Sequence, residues 1–181
     1  ISMPFIADLH MHSHYSIATS RDMTPEGLWK WAQLKGVTVI GTGDAIHPGW
    51  FRELARKLDP AGNGLFALRA DMREDIIPRS CVAEVFFLPS VEISCIFTRN
   101  GKTRKAHCIV LFDDMESALR LQNRLSKVGN ISSDGRPILG LDAKRLLAMV
   151  IDDCPRALFI PAHVWTPHFS VLGSASGFDS L

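Results

Sequence analysis

The chain carries histidine and carboxylate side chains in a pattern typical of metal-binding enzymes. The densest group is Asp8-Leu9-His10-Met11-His12, which follows a short apolar run. Successive side chains of a β-strand point to opposite faces, so His10 and His12 would project in the same direction. Two neighbouring imidazoles at the end of a strand are suitable nitrogen ligands for a zinc-like or manganese-like ion. We therefore interpret this pair as metal ligands, rather than as a surface histidine cluster or a remnant of a purification tag.

A second candidate pair, Asp44 and His47, follows a Gly41-Thr42-Gly43 turn. The turn has some likeness to a dinucleotide-binding loop, but Ile46 stands where a third glycine or alanine is needed. Asp44 would also repel a pyrophosphate. A metal or catalytic role for at least one of the two fits better than a loop-capping role. Which of the two it would be stays open at this point.

Three more candidate ligands lie further along the chain. Glu92 interrupts an apolar strand, where an unpaired carboxylate would be costly to bury. Cations beside it would offset that cost, and its two oxygens could bridge two ions in a catalytic role; the alternative is an outward-facing glutamate. His107 precedes an apolar strand and could equally be a core histidine. His163 comes just after a strand and fits a ligand better.

Basic residues surround a hairpin turn that Asn100-Gly101 predicts. They are Arg99, Lys102, Arg104 and Lys105. A solvated charged surface is the simpler interpretation, although such residues also position phosphates in nucleic-acid complexes. Arg136 lies in a separate turn. We take Arg104, Lys105 and Arg136 as candidate substrate-binding residues, with DNA as the partner of this local patch.

The composition is that of a globular protein. The chain has 181 residues, 46% of them hydrophobic, and a formal net charge of +1. The charge provides no strong general attraction to nucleic acid or anionic lipid, and no apolar run approaches the length of a membrane span. The four cysteines are widely spaced and no secretory leader is recognisable. We predict one cytoplasmic domain with free thiols and no membrane contact.

The elements that must position these side chains alternate between strand and helix. Thr24, Pro25 and Gly36 predict the cap, first turn and end of one helix. Other helices are predicted at 50–58, from Asp113 or Asp114 to about 128, and at 142–151, with strands at 4–7, 37–40, 85–88, 91–98, 106–112 and 157–160. The segment 59–80 is loop-rich and unassigned. This order predicts an α/β fold with a largely parallel sheet, whose strand ends would bring the candidates to one rim.

Several of these motifs resemble a known group of phosphoesterases. Asp8-Leu9-His10-Met11-His12-Ser13 resembles the opening motif of the polymerase and histidinol phosphatase (PHP) superfamily. More narrowly, the chain is similar to the amino-terminal domain of the endonuclease Q family, along the stretches 41–48, 104–107, 129–140, 161–167 and 176–180. The likeness covers nearly the whole chain, is weakest at 59–80, and has its most specific motif at 129–140.

The resemblance implies that residues 1–181 form a metal-dependent phosphoesterase domain, a distorted TIM-like β/α barrel of seven strands. It implies two or three divalent ions (Zn, Mg or Mn), held by His10, His12, Glu92, His107 and His163, with Glu92 bridging. Asp44 and His47 match less closely, because two residues separate them here. It also implies nicking of DNA on the 5′ side of deaminated (uracil, hypoxanthine) or abasic nucleotides.

One departure from the family is the missing late Asp-x-His motif, which has no counterpart after His163. We therefore expect the chain to be a fragment or a shortened protein, with a barrel incomplete at its C-terminus and without the flanking domains that hold DNA. Two alternatives stay open. One is a phosphoesterase that acts on small molecules, as histidinol phosphatases do, and the other is a non-catalytic metal-binding scaffold.

Overall fold

The computed structural model describes residues 5–17, 19–73 and 77–179, and within them the chain forms two β-sheets and four α-helices. The helices are α1 Pro25–Lys35, α2 Pro48–Lys57, α3 Met115–Leu125 and α4 Ala143–Asp153. The strands are β1 Ala7–Asp8, β2 Val39–Gly41, β3 Leu58–Gly62, β4 Leu65–Leu68, β5 Phe86–Leu88, β6 Ser90–Arg99, β7 Lys102–Leu111, β8 Ile138–Leu139 and β9 Leu158–Pro161. Two single 3₁₀ turns, Ala70–Met72 and Arg79–Cys81, lie between β4 and β5.

Both sheets mix parallel and antiparallel strands. The first has the order β1-β2-β5-β4-β3, with parallel pairing from β1 to β5 and antiparallel pairing from β5 to β3. The second has the order β8-β6-β7-β9, built on the antiparallel β6–β7 hairpin. The α/β class is therefore confirmed, whereas the prediction of a largely parallel sheet is wrong. The described strands form two separate sheets and not one closed barrel.

Capping and turn residues in the sequence predicted most of the helix ends and the central hairpin correctly. The Thr24 side chain accepts a hydrogen bond from the Gly27 amide, and Gly36 ends α1 in the left-handed conformation at φ 69°. Asn100 and Gly101, at φ 54° and 71°, form the predicted hairpin turn. These features depend on neighbours within a few residues, so the sequence alone could specify them.

At the edges of the first sheet, one expectation is wrong and one unassigned segment has regular structure. The predicted buried strand at 4–7 includes Pro4, which lies outside the described residues, while Phe5 and Ile6 are 66% and 59% exposed. The segment 59–80, which the sequence left unassigned apart from loop signals at Pro60, Gly62 and Gly64, contributes most of the β3–β4 hairpin. Pro60 lies in β3, an edge strand, where a missing amide hydrogen is tolerated.

The core on one face of the second sheet explains which side chains face the other way. Val91, Ile93 and Cys95 are buried against residues of α3 and α4. Because side chains alternate along a strand, Glu92 and Ser94 turn to the opposite face of β6. That face meets the segment that follows β1.

Two further predictions concern cysteines and membranes. The four cysteines, all within the described part of the chain, are free, as expected. None of the described helices combines the length and the apolar character needed to cross a bilayer.

Candidate metal centre

The carboxylate of Glu92 is the point at which the predicted ligands meet. Glu92 is 2% exposed. Its Oε1 lies 3.1 Å from Nε2 of His10, 3.0 Å from Nδ1 of His107 and 3.4 Å from Nε2 of His163. Its Oε2 lies 3.2 Å from Nε2 of His12. Imidazoles from three separate segments thus surround one buried carboxylate.

The spacing of these atoms matches that of ligands around metal ions. They form two groups that share Glu92, namely His10, His12 and Glu92, and Glu92, His107 and His163. Within each group the ligand atoms lie within 4.8 Å of one another. Two atoms that bind one ion at about 2.1 Å are themselves about 3.0–3.4 Å apart, which is the spacing of the imidazoles from Glu92. Each of the two groups could therefore hold a metal ion, and both include Glu92.

The unsatisfied Oε1 of Glu92 is also what a bound cation would require. Its Oε1 is buried and has no hydrogen-bond partner among the described residues, although three ring nitrogens lie close to it. Nδ1 of His107 and Nε2 of His163 are in addition only 3.1 Å apart. A buried acceptor without a partner is costly, and a divalent ion between these groups would remove that cost. Imidazole nitrogens with a carboxylate oxygen suit Zn²⁺ or Mn²⁺.

The charges at the centre are strongly coupled. Burial alone would raise the pKa of Glu92, but the close imidazoles of His10, His107 and His12 outweigh it and hold that pKa far below its usual range. The hydrogen bond to Asp44, followed by the one to Glu92, raises the pKa of His12 to about 9. Without an ion, His12 is therefore protonated at neutral pH, and an ion that binds its Nε2 must displace a proton.

Asp44 lies behind His12 and outside both ligand groups. It is fully buried, and its Oδ1 lies 3.2 Å from Nδ1 of His12. Its Oδ2 accepts hydrogen bonds from the amide and hydroxyl of Ser13, at 2.7 and 2.6 Å, and from the Ser16 hydroxyl at 2.9 Å. A carboxylate held in this way orients the imidazole, so that Nε2 of His12 faces Glu92. Gly135 approaches so closely that a Cβ there would lie 2.2 Å from Oδ2 of Asp44.

His47 caps helix α2, and the structure does not bring it to Glu92. Its Nδ1 accepts hydrogen bonds from the amides of Gly49 and Trp50, at 3.2 and 3.3 Å. Its Nε2 donates to the Ser132 carbonyl oxygen at 3.0 Å. Both ring nitrogens are thus engaged, and the capping role that was weighed against a metal role is the one observed for this residue.

The three candidate substrate-binding residues are in different places. Nη1 of Arg136 lies 3.3 Å from Oε2 of Glu92, inside the centre. Lys105 shares the face of β7 with His107, and its ammonium lies 5.3 Å from the Phe169 ring. Arg104 belongs to the opposite face, where it packs over Phe178. Arg136 is therefore the candidate that contacts a predicted ligand directly.

Sequence reasoning missed several residues that shape the centre. Ser13 and Ser16 bind Asp44, and their position directly after the His10–His12 pair was a usable signal. The hydroxyl oxygen of Thr166 lies 2.8 Å from Nδ1 of His163. Phe169 packs on the ring of His107 with centroids 4.6 Å apart, which no local pattern indicates.

Comparison with known proteins identifies similar structures. The chain superposes on the crystal structure of the lesion-specific endonuclease PfuEndoQ from Pyrococcus furiosus with a TM-score of 0.76 and 30% identity, over 97% of its length. A second structure, endonuclease Q in complex with a 27-mer duplex substrate with an abasic lesion at the active site, gives a TM-score of 0.75 and 30% identity. An uncharacterized protein of Methanocaldococcus jannaschii is 29% identical over 175 residues, 96% of this chain.

These similarities cover only a part of each relative. The chain spans 38% of both endonuclease Q chains and 18% of the archaeal relative. No protein-family model matches it. The neighbours agree with the narrower resemblance to endonuclease Q and support a nuclease, while the PHP superfamily is not named among them.

Proposed function

We propose that this chain forms the metal-binding part of an endonuclease that hydrolyses phosphodiester bonds of damaged DNA. The convergence of four imidazoles on the buried carboxylate of Glu92 is the observation that carries the proposal. Similarity to a lesion-specific endonuclease supports the choice of DNA over other phosphate esters.

Each residue of the centre has a distinct role in this proposal. His10, His12 and Glu92 would hold one ion, and Glu92, His107 and His163 would hold a second, with Glu92 shared by both groups. Asp44 is a positioning residue that acts through His12, and His47 stabilises helix α2. Zn²⁺ or Mn²⁺ bound here would lower the pKa of a coordinated water and stabilise charge on the phosphoryl and leaving oxygens.

We infer that the two sheets around the centre are parts of a distorted β/α barrel of the PHP type. The two sheets follow each other with only Pro89 between β5 and β6. Leu9 and Leu88 of the first sheet region pack against Ile109 and Leu111 of β7. We infer that residues 1–181 belong to one phosphoesterase domain of this type.

We infer that the substrate is DNA cut on the 5′ side of a uracil, hypoxanthine or abasic nucleotide. A relative is known in complex with a duplex that has an abasic lesion. Weakly paired nucleotides cost less to extrude than intact pairs. Trp165, which is 80% exposed, lines an open cleft of about 500 Å³ together with His163 and Pro161. Such an aromatic surface beside the centre is suited to stacking on a base.

Nicking of defined oligonucleotides tests the proposal. The full gene product with added Mn²⁺ or Zn²⁺ should cut uracil-, hypoxanthine- or abasic-containing duplexes, and Glu92→Gln should reduce the rate by at least about 10³-fold. Lys35→Ala, which removes an exposed positive charge at the end of helix α1 and outside the basic hairpin patch, should retain most of the activity. Undiminished nicking by a His10→Ala/Glu92→Ala double variant would exclude this mechanism.

The same preparations distinguish the two alternatives. Release of phosphate from sugar phosphates without nicking would indicate a phosphoesterase for small molecules. A protein that holds little or no divalent metal after purification and neither nicks DNA nor releases phosphate would indicate a non-catalytic scaffold with a weak metal site.

A further inference from the structure

The guanidinium of Arg136 occupies a position beside the ligand atoms of the centre. We propose that Arg136 and a metal ion compete for Glu92, so that metal loading releases Arg136 to bind a phosphate of the substrate. This inference rests on the proposed function, because it assumes that the centre binds metal and a phosphate ester.

The competition follows from the atoms involved. Nη1 of Arg136 lies 3.3 Å from Oε2 of Glu92, and Nε2 of His12 lies 3.2 Å from the same oxygen. His12 is one of the three residues of the His10, His12 and Glu92 group, so an ion bound by His12 and Glu92 would lie close to that oxygen. A divalent ion at this position would repel the guanidinium at short range, since the repulsion grows as the distance falls. Arg136 would therefore contact Glu92 in the metal-free centre and be displaced from it when the metal ion binds.

The backbone of Arg136 is anchored by hydrogen bonds on both sides, whereas its side chain has few partners. The Arg136 amide donates to Oδ1 of Asp134, and the next carbonyl, that of Pro137, accepts from the amide of Ser94. The side chain is 36% exposed, and its buried Nε has no hydrogen-bond partner in the part of the chain that the structure describes. Among the described residues the guanidinium is thus held through its contact with Glu92, with no second hydrogen bond at Nε.

A displaced Arg136 would find phosphate a better partner than water. Its planar fork can donate two parallel hydrogen bonds to a phosphate group. Since the side chain starts beside Glu92, it stays within reach of a phosphate that contacts the centre. Metal would then strengthen phosphate binding through Arg136, and by thermodynamic linkage phosphate would strengthen metal binding.

Zinc affinity provides the first test. Arg136→Gln should bind Zn²⁺ about fivefold more tightly than the unaltered protein in competition with a chromophoric chelator, because a competing ion pair is gone. Arg99→Ala is the matched control: it removes the same side chain roughly 23 Å away along β6, at about 3.3 Å per residue, and should leave zinc affinity unchanged. Equal or weaker zinc binding by Arg136→Gln would overturn the proposal.

Phosphate binding provides the second test. Titration calorimetry with inorganic phosphate should give about tenfold weaker binding to Zn²⁺-loaded Arg136→Gln than to the loaded unaltered protein. The two metal-free proteins should not differ, because Arg136 is then held by Glu92. Equal phosphate affinity of the two loaded proteins would exclude a phosphate role.

A conservative variant covers the case in which Arg136→Gln does not fold. Arg136→Lys keeps the charge, so it should bind Zn²⁺ as the unaltered protein does, but bind phosphate more weakly because an ammonium lacks the planar fork. Tighter zinc binding by Arg136→Lys would contradict a competition between charges. These readouts need no nicking activity, so the inference can fail while the proposed function stands, and the reverse.

Discussion

At the scale of single residues, the contacts of His12 link its protonation to metal binding. It lies between two carboxylates, with Asp44 at Nδ1 and Glu92 at Nε2. An imidazole in free solution would be largely neutral at pH 7, but here the pKa is about 9. Because a metal binds the neutral ring, the same contacts that orient His12 also make its metal affinity depend on pH.

We predict that Zn²⁺ affinity rises with pH and levels off near pH 9. The folded-state pKa of His12 is raised, so the proton is present below about 9 and must leave when Zn²⁺ binds. Affinity should therefore increase about tenfold per pH unit across the neutral range, with about one proton released. Calorimetry in buffers of different ionisation enthalpy measures that proton.

Asp44→Asn is the informative variant for this prediction. It replaces the charged partner in the hydrogen bond that contributes most to the raised pKa of His12 with a neutral amide, so the pH dependence should weaken and fewer protons should be released. A pH profile that is identical in the two proteins would show that Asp44 does not act through His12.

At the scale of elements, the sequence left two roles open for His47, namely capping of a helix and metal binding. Its position at the start of helix α2 allows the two to be distinguished. The residue lies at the N-cap, with an extended backbone, and its ring accepts from the first free amides of the helix. Thr24 does the same for α1 with its hydroxyl. A cap acts on stability, whereas a ligand acts on metal binding, so one variant can distinguish them.

We predict that His47→Ala loses about 1 kcal/mol of the free energy of unfolding, as is typical for a lost cap. It should keep the metal stoichiometry and the zinc affinity of the unaltered protein. His47→Asn, which can still cap, should recover most of the stability. Urea unfolding and metal analysis measure both properties.

Thr24→Ala is the matched control, since it removes the cap of α1 away from the centre. Its loss of stability should be similar to that of His47→Ala. Loss of one bound ion in His47→Ala, but not in Thr24→Ala, would instead identify His47 as a ligand.

At the scale of the whole molecule, the centre joins parts of both sheets. His10 and His12 follow β1 of the first sheet, whereas Glu92 and His107 belong to β6 and β7 of the second. Ions bound here would act as cross-links between the sheets. Any ligand that binds only the folded state also stabilises it by mass action.

We predict that Zn²⁺ raises the melting temperature and that a chelator reverses the change. At a free concentration of 100 times the dissociation constant, the gain for one site is about 2.7 kcal/mol. Glu92→Gln should lose most of this gain, while Arg99→Ala should keep it. Differential scanning calorimetry makes the comparison, and an equal gain in Glu92→Gln would place the metal elsewhere.

The sequence alone determined the local features and the set of side chains to consider. Thr24 with Pro25, Gly36 and Asn100-Gly101 specify caps and a turn, because their effects depend on residues within one turn of the chain. The alternation of His10 and His12 likewise indicated a common face. Strand β3 was missed because Pro60 and Gly62 are turn residues in isolation and are tolerated there only at a sheet edge.

The tertiary structure alone decided how the candidates are divided. Asp44 and His47 are only three residues apart in the sequence, yet Asp44 contacts His12 and His47 caps α2. Arg136 meets Glu92 across 44 residues, while Arg104 turns to the opposite face of its strand. These differences depend on which atoms from distant segments come within about 3 Å, a distance that hydrogen bonds require and that no sequence spacing specifies.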